Sequence, residues 1–234
     1  MEVAEQYIEH TSNGCIKINL HNKNCRSIIM YCTLLLFKEY KFPLSIARKH
    51  YLGCKSNEDL FFALKRMMKE LAKLEYKATL NQTTRNDDFD TKVSAKVSEY
   101  IVGLIWSNFT FISEVDQIKY NLADYKYEDV NIDVKSKRRT SRPNPSYDII
   151  IPNSQRNQKT DFYICSHIDM KFKEILLMGM ISKVDFWKMA RESYPGEVAG
   201  NGIPYEEGSF ILPYSKIHTW DANFNDKPIV PYYA

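Results

Sequence analysis

Two carboxylates and an amine stand at a spacing that suits phosphodiester hydrolysis. Asp124 closes the run IKYNLAD, and after eight intervening residues the segment NIDVKSK, residues 131–137, carries Asp133 and Lys135. Ile132 and Val134 alternate with Asp133 and Lys135, the pattern of a strand with one wet face. Residues i and i+2 of a strand share a face, so Asp133 and Lys135 point the same way. A hard divalent cation such as Mg2+ takes oxygen ligands and keeps several waters. Asp124 and Asp133 on adjacent strands suit such a cation, with the carbonyl of Val134 as a further ligand. The cation polarises a phosphoryl oxygen and acidifies its bound water. Lys135 would orient that water and stabilise charge in the transition state. The same side chains also fit ordinary ion pairs on a solvated strand, and D-x-K is a short, common pattern.

The surrounding pattern supplies elements to position these residues. Residues 92–107 read as one amphipathic helix, with Val97, Ile101, Leu104 and Ile105 on its apolar face and Glu99 in its middle. Strands are expected at 117–124, 131–138, 146–152, 161–167 and 174–181. Ser182 then caps a helix, KVDFWKMARE, ending near Ser193, with Phe186 and Trp187 as core residues. The Gly-containing loop from Pro195 to Gly208 reads as a lid or an ordinary connection, and SFILPYSKI as a last strand. Asp148 reads as the start of its strand. Cys165 and His167 read as packing residues, because no partner pair lies at zinc-like spacing.

The Glu-bearing helix, the strand ending in Asp124 and the strand carrying Asp133-Val134-Lys135 together resemble the PD-(D/E)XK nuclease superfamily. Its members include restriction endonucleases, Holliday-junction resolvases, recombination exonucleases and phage nucleases. The resemblance covers residues 92–192. It implies an α/β fold, a restriction-endonuclease-like core with a central mixed β-sheet flanked by helices. It implies that Asp124, Asp133 and Lys135 form the catalytic core. Glu99 would be an accessory acid that contacts the metal directly or through water. The implied cofactor is Mg2+, for which Mn2+ substitutes. Ala123 stands where the family usually has proline, and Asp133 where it accepts either acid.

Charge distribution points the same way. The formal net charge is only +3, yet Lys135, Lys137, Arg138, Arg139 and Arg142 fall within eight positions. Lys65, Arg66 and Lys69 form a smaller cluster. Such clusters are either solvated surface loops or contacts for an anionic partner, here nucleic acid and foremost DNA. Lys137, Arg138, Arg139 and Arg142 are candidates for phosphate contacts that position a substrate without reading its sequence.

Residues 1–85 read as a mainly helical N-terminal region, and 86–234 as the nuclease-like domain, with the polar stretch 81–90 at the boundary. Within the first region, Cys15 to Leu20 alternates like a short strand. Pro43 to Lys77 resembles a helix-turn-helix, short helix then long helix. The five cysteines are scattered, and Cys15, His21, Cys25 and Cys32 match no common zinc spacing, which fits reduced thiols. No run of about 18 apolar residues suggests a membrane span, and no secretory signal is visible. A cytoplasmic protein is expected, in the host cytoplasm for a viral or phage chain, which the Lys-, Asn-, Ile- and Tyr-rich composition suggests. The leading expectation is a Mg2+-dependent DNA nuclease. The alternatives are a non-catalytic DNA- or partner-binding protein on a nuclease-like fold, and an RNA endonuclease with the same core. Either a homodimer or a partner protein is compatible with the sequence.

Overall fold

A computed structural model describes residues 9–10, 16–19, 95, 98–99, 101–103, 105–106, 108–112, 114–139, 141, 143–169, 174–198, 204–205 and 208–218. The fold is mixed α/β. Its strands are β1 (Glu9–His10), β2 (Ile16–Asn19), β3 (Thr110–Phe111), β4 (Tyr125–Tyr127), β5 (Val130–Arg139), β6 (Asp148–Pro152), β7 (Phe162–Asp169), β8 (Glu174–Ser182), β9 (Arg191–Ser193) and β10 (Ser209–Pro213). Two short helices are α1 (Glu114–Tyr120) and α2 (Lys183–Met189). Residues 95, 98, 99, 101–103 and 105 are helical as well and carry Glu99.

The main sheet has the order β1-β2-β8-β7-β5-β4-β3. Only β5 and β7 run parallel; every other neighbouring pair is antiparallel. A parallel pair needs a crossover, and the connection from β5 to β7 contains β6. That strand joins β10 and β9 in a second, three-stranded antiparallel sheet. β7, FYICSHID, is central, and its residues 162–168 are buried on both faces. A strand covered on both sides reads as an apolar run rather than an alternation.

The two faces of the main sheet are covered differently. Tyr163, Cys165 and Ile181 pack against Ile149 and Ile151 of β6, Phe210 and Leu212 of β10, and Phe186 of α2. Burial of a side chain such as Phe186 contributes about 1.5–3 kcal/mol. On the other face, Ser98 and Ser166 hydroxyls are 2.6 Å apart, and the Tyr125 hydroxyl donates to the Glu99 carbonyl at 2.8 Å. That helix buries Ser98, Ile101 and Val102, with Ile105 half-buried. One face thus carries the Glu99 helix, and the other a small sheet with α2, where helices alone were expected.

Of the five strands expected between residues 117 and 181, four are present within a few residues of their expected bounds. The fifth is different. Residues 117–124 are not a strand: α1 runs to Tyr120, and Asn121 ends it with φ 54°. The Leu122 N–H then donates back to the Gln117 carbonyl at 2.9 Å, the left-handed cap that Asn tolerates. The alternation of Ile118, Tyr120 and Leu122 was too short to overrule this cap. In α2 the Ser182 side chain accepts from the Asp185 N–H at 3.0 Å, as a capping serine should. The helix stops at Met189 rather than near Ser193, because residues 191–193 pair with β10 as β9.

The short strand expected from Cys15 to Leu20 is β2, which pairs with β8. The expected N-terminal helices, the helix-turn-helix-like segment, the 81–90 boundary, Val97, Leu104, Arg142 and the Cys15, His21, Cys25 and Cys32 set lie outside the described residues.

Candidate metal and nuclease site

The β4–β5 hairpin brings the sequence motif together. Its turn is Glu128–Asp129, and Tyr125 pairs with Ile132. One further step along this antiparallel register sets Asp124 opposite Asp133. The Asp124 backbone is fixed from its other side, where its carbonyl accepts from the Ile112 N–H at 2.8 Å beyond the end of β3. The Asp124 carboxylate then accepts from the Val134 N–H at 2.7 Å. It therefore occupies the edge of β5 that β4 leaves open. The N–H and C=O of one strand residue project toward the same neighbour. The Val134 carbonyl accordingly faces the Asp124 side, where the sequence expects a ligand.

Asp133 does not lie on a wet face. It is 3% exposed, and Ile132 and Val134 beside it are also buried. The covering element is the loop from the 3-10 turn Asn153–Gln155 to Thr160. Asp133 Oδ1 accepts from Gln158 Nε2 at 2.8 Å, and Asp133 Oδ2 forms an ion pair with Lys135 Nζ. Lys135 Nζ also donates to Gln155 Oε1 at 2.8 Å and lies 5.7 Å from the centre of the Tyr163 ring.

The groups around this pair are held neutral. Burial pushes the Tyr163 phenol up to about 12, opposed by a hydrogen bond with Trp187 and reinforced by the Asp133 charge. Burial also pushes the Cys165 thiol up, only partly opposed by Lys135, so it is no thiolate nucleophile. Cys165 and His167 are core residues, as expected.

The covering loop is itself tightly held. The Lys159 N–H donates to the Asn121 carbonyl at 2.8 Å, and Asn121 Nδ2 to the Asn157 carbonyl at 3.0 Å. Lys183 Nζ donates to the Gln158 carbonyl at 2.6 Å. Gln155 and Gln158 are site residues that the sequence reading missed. The signal was present in the topology: parallel pairing of Ile132 with Phe162 returns the residues just before β7 to the start of the D-x-K segment.

The other expected residues are placed differently. Glu99 is buried on a helix against the sheet face opposite Asp133. Among the described residues no cluster of three or more His, Cys, Asp or Glu side chains suits a metal. Of the expected phosphate contacts, Lys137, Arg138 and Arg139 are half-buried. Lys137 Nζ donates to the Asp148 carbonyl at 2.9 Å. Burial and the neighbouring Arg139 charge lower its pKa to about 8, against the pull of Asp148. The Arg139 guanidinium sits 5.2 Å from the centre of the Tyr147 ring. Arg138 points to the opposite face by strand alternation. Arg156 and Lys159 of the covering loop are exposed cations. Arg156 lies over the Trp187 and Phe210 rings, 5.4 and 5.6 Å from their centres.

The Asp124 and Asp133 carboxylates and the Val134 carbonyl are all oxygen donors. That set suits Mg2+, which binds through one or two carboxylates and leaves its remaining positions to water and phosphate. The Lys135 ammonium supplies positive charge next to Asp133. Comparison of the chain with protein-family models, curated proteins and solved structures finds no match.

Proposed function

We propose that the protein is a divalent-metal-dependent nuclease that hydrolyses phosphodiester bonds of DNA on a restriction-endonuclease-like core. The observation that carries this reading is the 2.7 Å hydrogen bond from the Val134 N–H to Asp124. It joins Asp124, the residue before β4, to the centre of the Asp133-Val134-Lys135 segment. The mixed sheet, the D-x-K strand in its middle and the preceding Glu99 helix support the fold assignment.

Asp124, Asp133 and the Val134 carbonyl would hold the cation, which when bound polarises the phosphoryl oxygen and lowers the pKa of its water. Lys135 shares the face of Asp133, so its ammonium is available to orient the attacking water and to offset negative charge on the phosphoryl group. The water oxygen forms a new P–O bond, one ester P–O bond breaks, and the leaving alkoxide takes up a proton. Arg156 and Lys159, exposed on the loop that covers Asp133, would supply positive charge for a phosphate backbone.

Incubation of the full chain with supercoiled and linear DNA, and with single-stranded RNA, in Mg2+ or Mn2+ tests the proposal. DNA cleavage is expected, reduced by at least about 100-fold in Asp133→Asn and in Asp124→Asn. Cleavage that survives both substitutions removes the site assignment. Cleavage of RNA alone changes the substrate class. No cleavage, together with metal-independent binding of one duplex, replaces the enzyme with a non-catalytic binding protein.

A further inference from the structure

Gln158 carries a buried hydrogen-bond acceptor that has no partner among the described residues. Its Nε2 donates to Asp133 Oδ1 at 2.8 Å and to the Leu122 carbonyl at 3.2 Å. Both of those partners are acceptors, so they fix which end of the amide faces them. The amide oxygen, Oε1, is then the end of the side chain that neither partner engages. That oxygen is buried and has no hydrogen-bond partner.

A buried amide oxygen without a donor costs about 1–3 kcal/mol. Native structures rarely leave such a group unmet, and an unmet one calls for an explanation in strain, catalysis, a water or an ion. The nearest chemistry is the Asp133 carboxylate, and the loop is fastened so that the oxygen has little freedom to turn elsewhere. The Asn121–Asn157 and Asn121–Lys159 hydrogen bonds hold it from below, and Lys183 holds the Gln158 carbonyl.

We infer that Gln158 is a metal-site residue: its Oε1 accepts a hydrogen bond from the hydration shell of a divalent cation held by Asp124 and Asp133. The inference rests on the proposed nuclease site and adds to it a residue outside the Glu99, Asp124, Asp133 and Lys135 set. It also gives the covering loop a role. Gln158 ties Asp133 to the loop through its amino group and offers the cation an acceptor through its oxygen. A group that orients a metal ligand or its hydration shell typically changes metal affinity by 10- to 100-fold when removed.

The test is Mn2+ titration of the full chain without nucleic acid, read by electron paramagnetic resonance of free Mn2+. Gln158→Leu, which lacks both amide groups, is expected to weaken Mn2+ binding by about 10-fold. Gln158→Glu separates the two ends of the side chain. It keeps the shape, turns the acceptor into a carboxylate and removes the donor. A metal-facing oxygen predicts tighter binding in Gln158→Glu, by about 10-fold. A residue that only props up Asp133 through its amino group predicts weaker binding in both variants, and that result overturns the inference. Wild-type affinity in both variants overturns it too. If the wild type binds no Mn2+ at all, the nuclease site itself fails and the inference with it. Should Gln158→Leu fail to fold, the direction of the change in Gln158→Glu decides the question alone.

Discussion

Asp133 and Lys135 form an ion pair whose side chains are only 4% and 16% exposed, respectively. Removing one partner of such a pair strands the other charge and typically costs about 3–5 kcal/mol. Lys135→Ala is therefore expected to lower stability by about that amount, measured by urea unfolding without metal. A metal held by Asp133 would replace the lost positive charge. Added Mn2+ should accordingly stabilise Lys135→Ala more than it stabilises the wild type; an equal gain would mean that ammonium and cation do not compete for Asp133. Lost cleavage in Lys135→Ala therefore says little about catalysis until the unfolded fraction is known. Lys137 gives a second prediction at this scale. Its folded pKa, about 8, lies below the ordinary lysine value of 10.5. Between these values the unfolded chain binds more protons at this position than the folded chain, so the wild type gains stability as pH rises. Relative to Lys137→Met, that gain should amount to roughly 1–3 kcal/mol between pH 7 and 10.5. Denaturant unfolding of both proteins at the two pH values measures it.

At the scale of elements, the site depends on a hairpin and on a loop that packs over it. The D-x-K strand was legible in the sequence because Ile132, Asp133, Val134 and Lys135 carry the period of two. Its burial was not legible. The same alternation describes a wet face and a face roofed by Gln155 and Gln158, and only the crossover connection distinguishes them. The helix α1 was hidden for a related reason, since its ending rests on the left-handed conformation of Asn121 rather than on apolar spacing. The basic run after Lys135 was read as a phosphate rail. Period two instead carries Lys137 and Arg139 toward Asp148 and Tyr147, beside β6. The β7–β8 pairing makes one further demand. Its register shifts between Cys165 and Ser166, and Gly179 lies opposite Cys165 with φ 146°. A Cβ on Gly179 would lie 2.1 Å from the His218 carbonyl oxygen. Gly179→Ala combines that clash with backbone strain and should destabilise by at least about 2 kcal/mol in thermal or chemical unfolding.

At the scale of the molecule, one mixed sheet joins the first described strands to the β4–β5 hairpin. β1 and β2 extend it beside β8, while β3 and β4 close the opposite edge. The parallel β5–β7 pair at its centre forces the long crossover, and that crossover supplies both β6 and the glutamine loop. The site is therefore assembled from three segments: residues 121–124, the D-x-K strand and residues 153–160. Pattern reading reaches the first two, because their acids stand at recognisable spacing. The third enters through topology. The small sheet packs over Tyr163 and Cys165, on the face of the main sheet that also carries Asp133. The central claim is that Asp124, Asp133 and the Val134 carbonyl form a metal centre. The most direct measurement is a crystal structure after soaking in Mn2+, with anomalous scattering to identify the ion. The account predicts one strong peak bound by both carboxylates and the Val134 carbonyl, with Lys135 displaced from Asp133. A fully soaked crystal with no peak there, and with the Asp133–Lys135 pair intact, would contradict it.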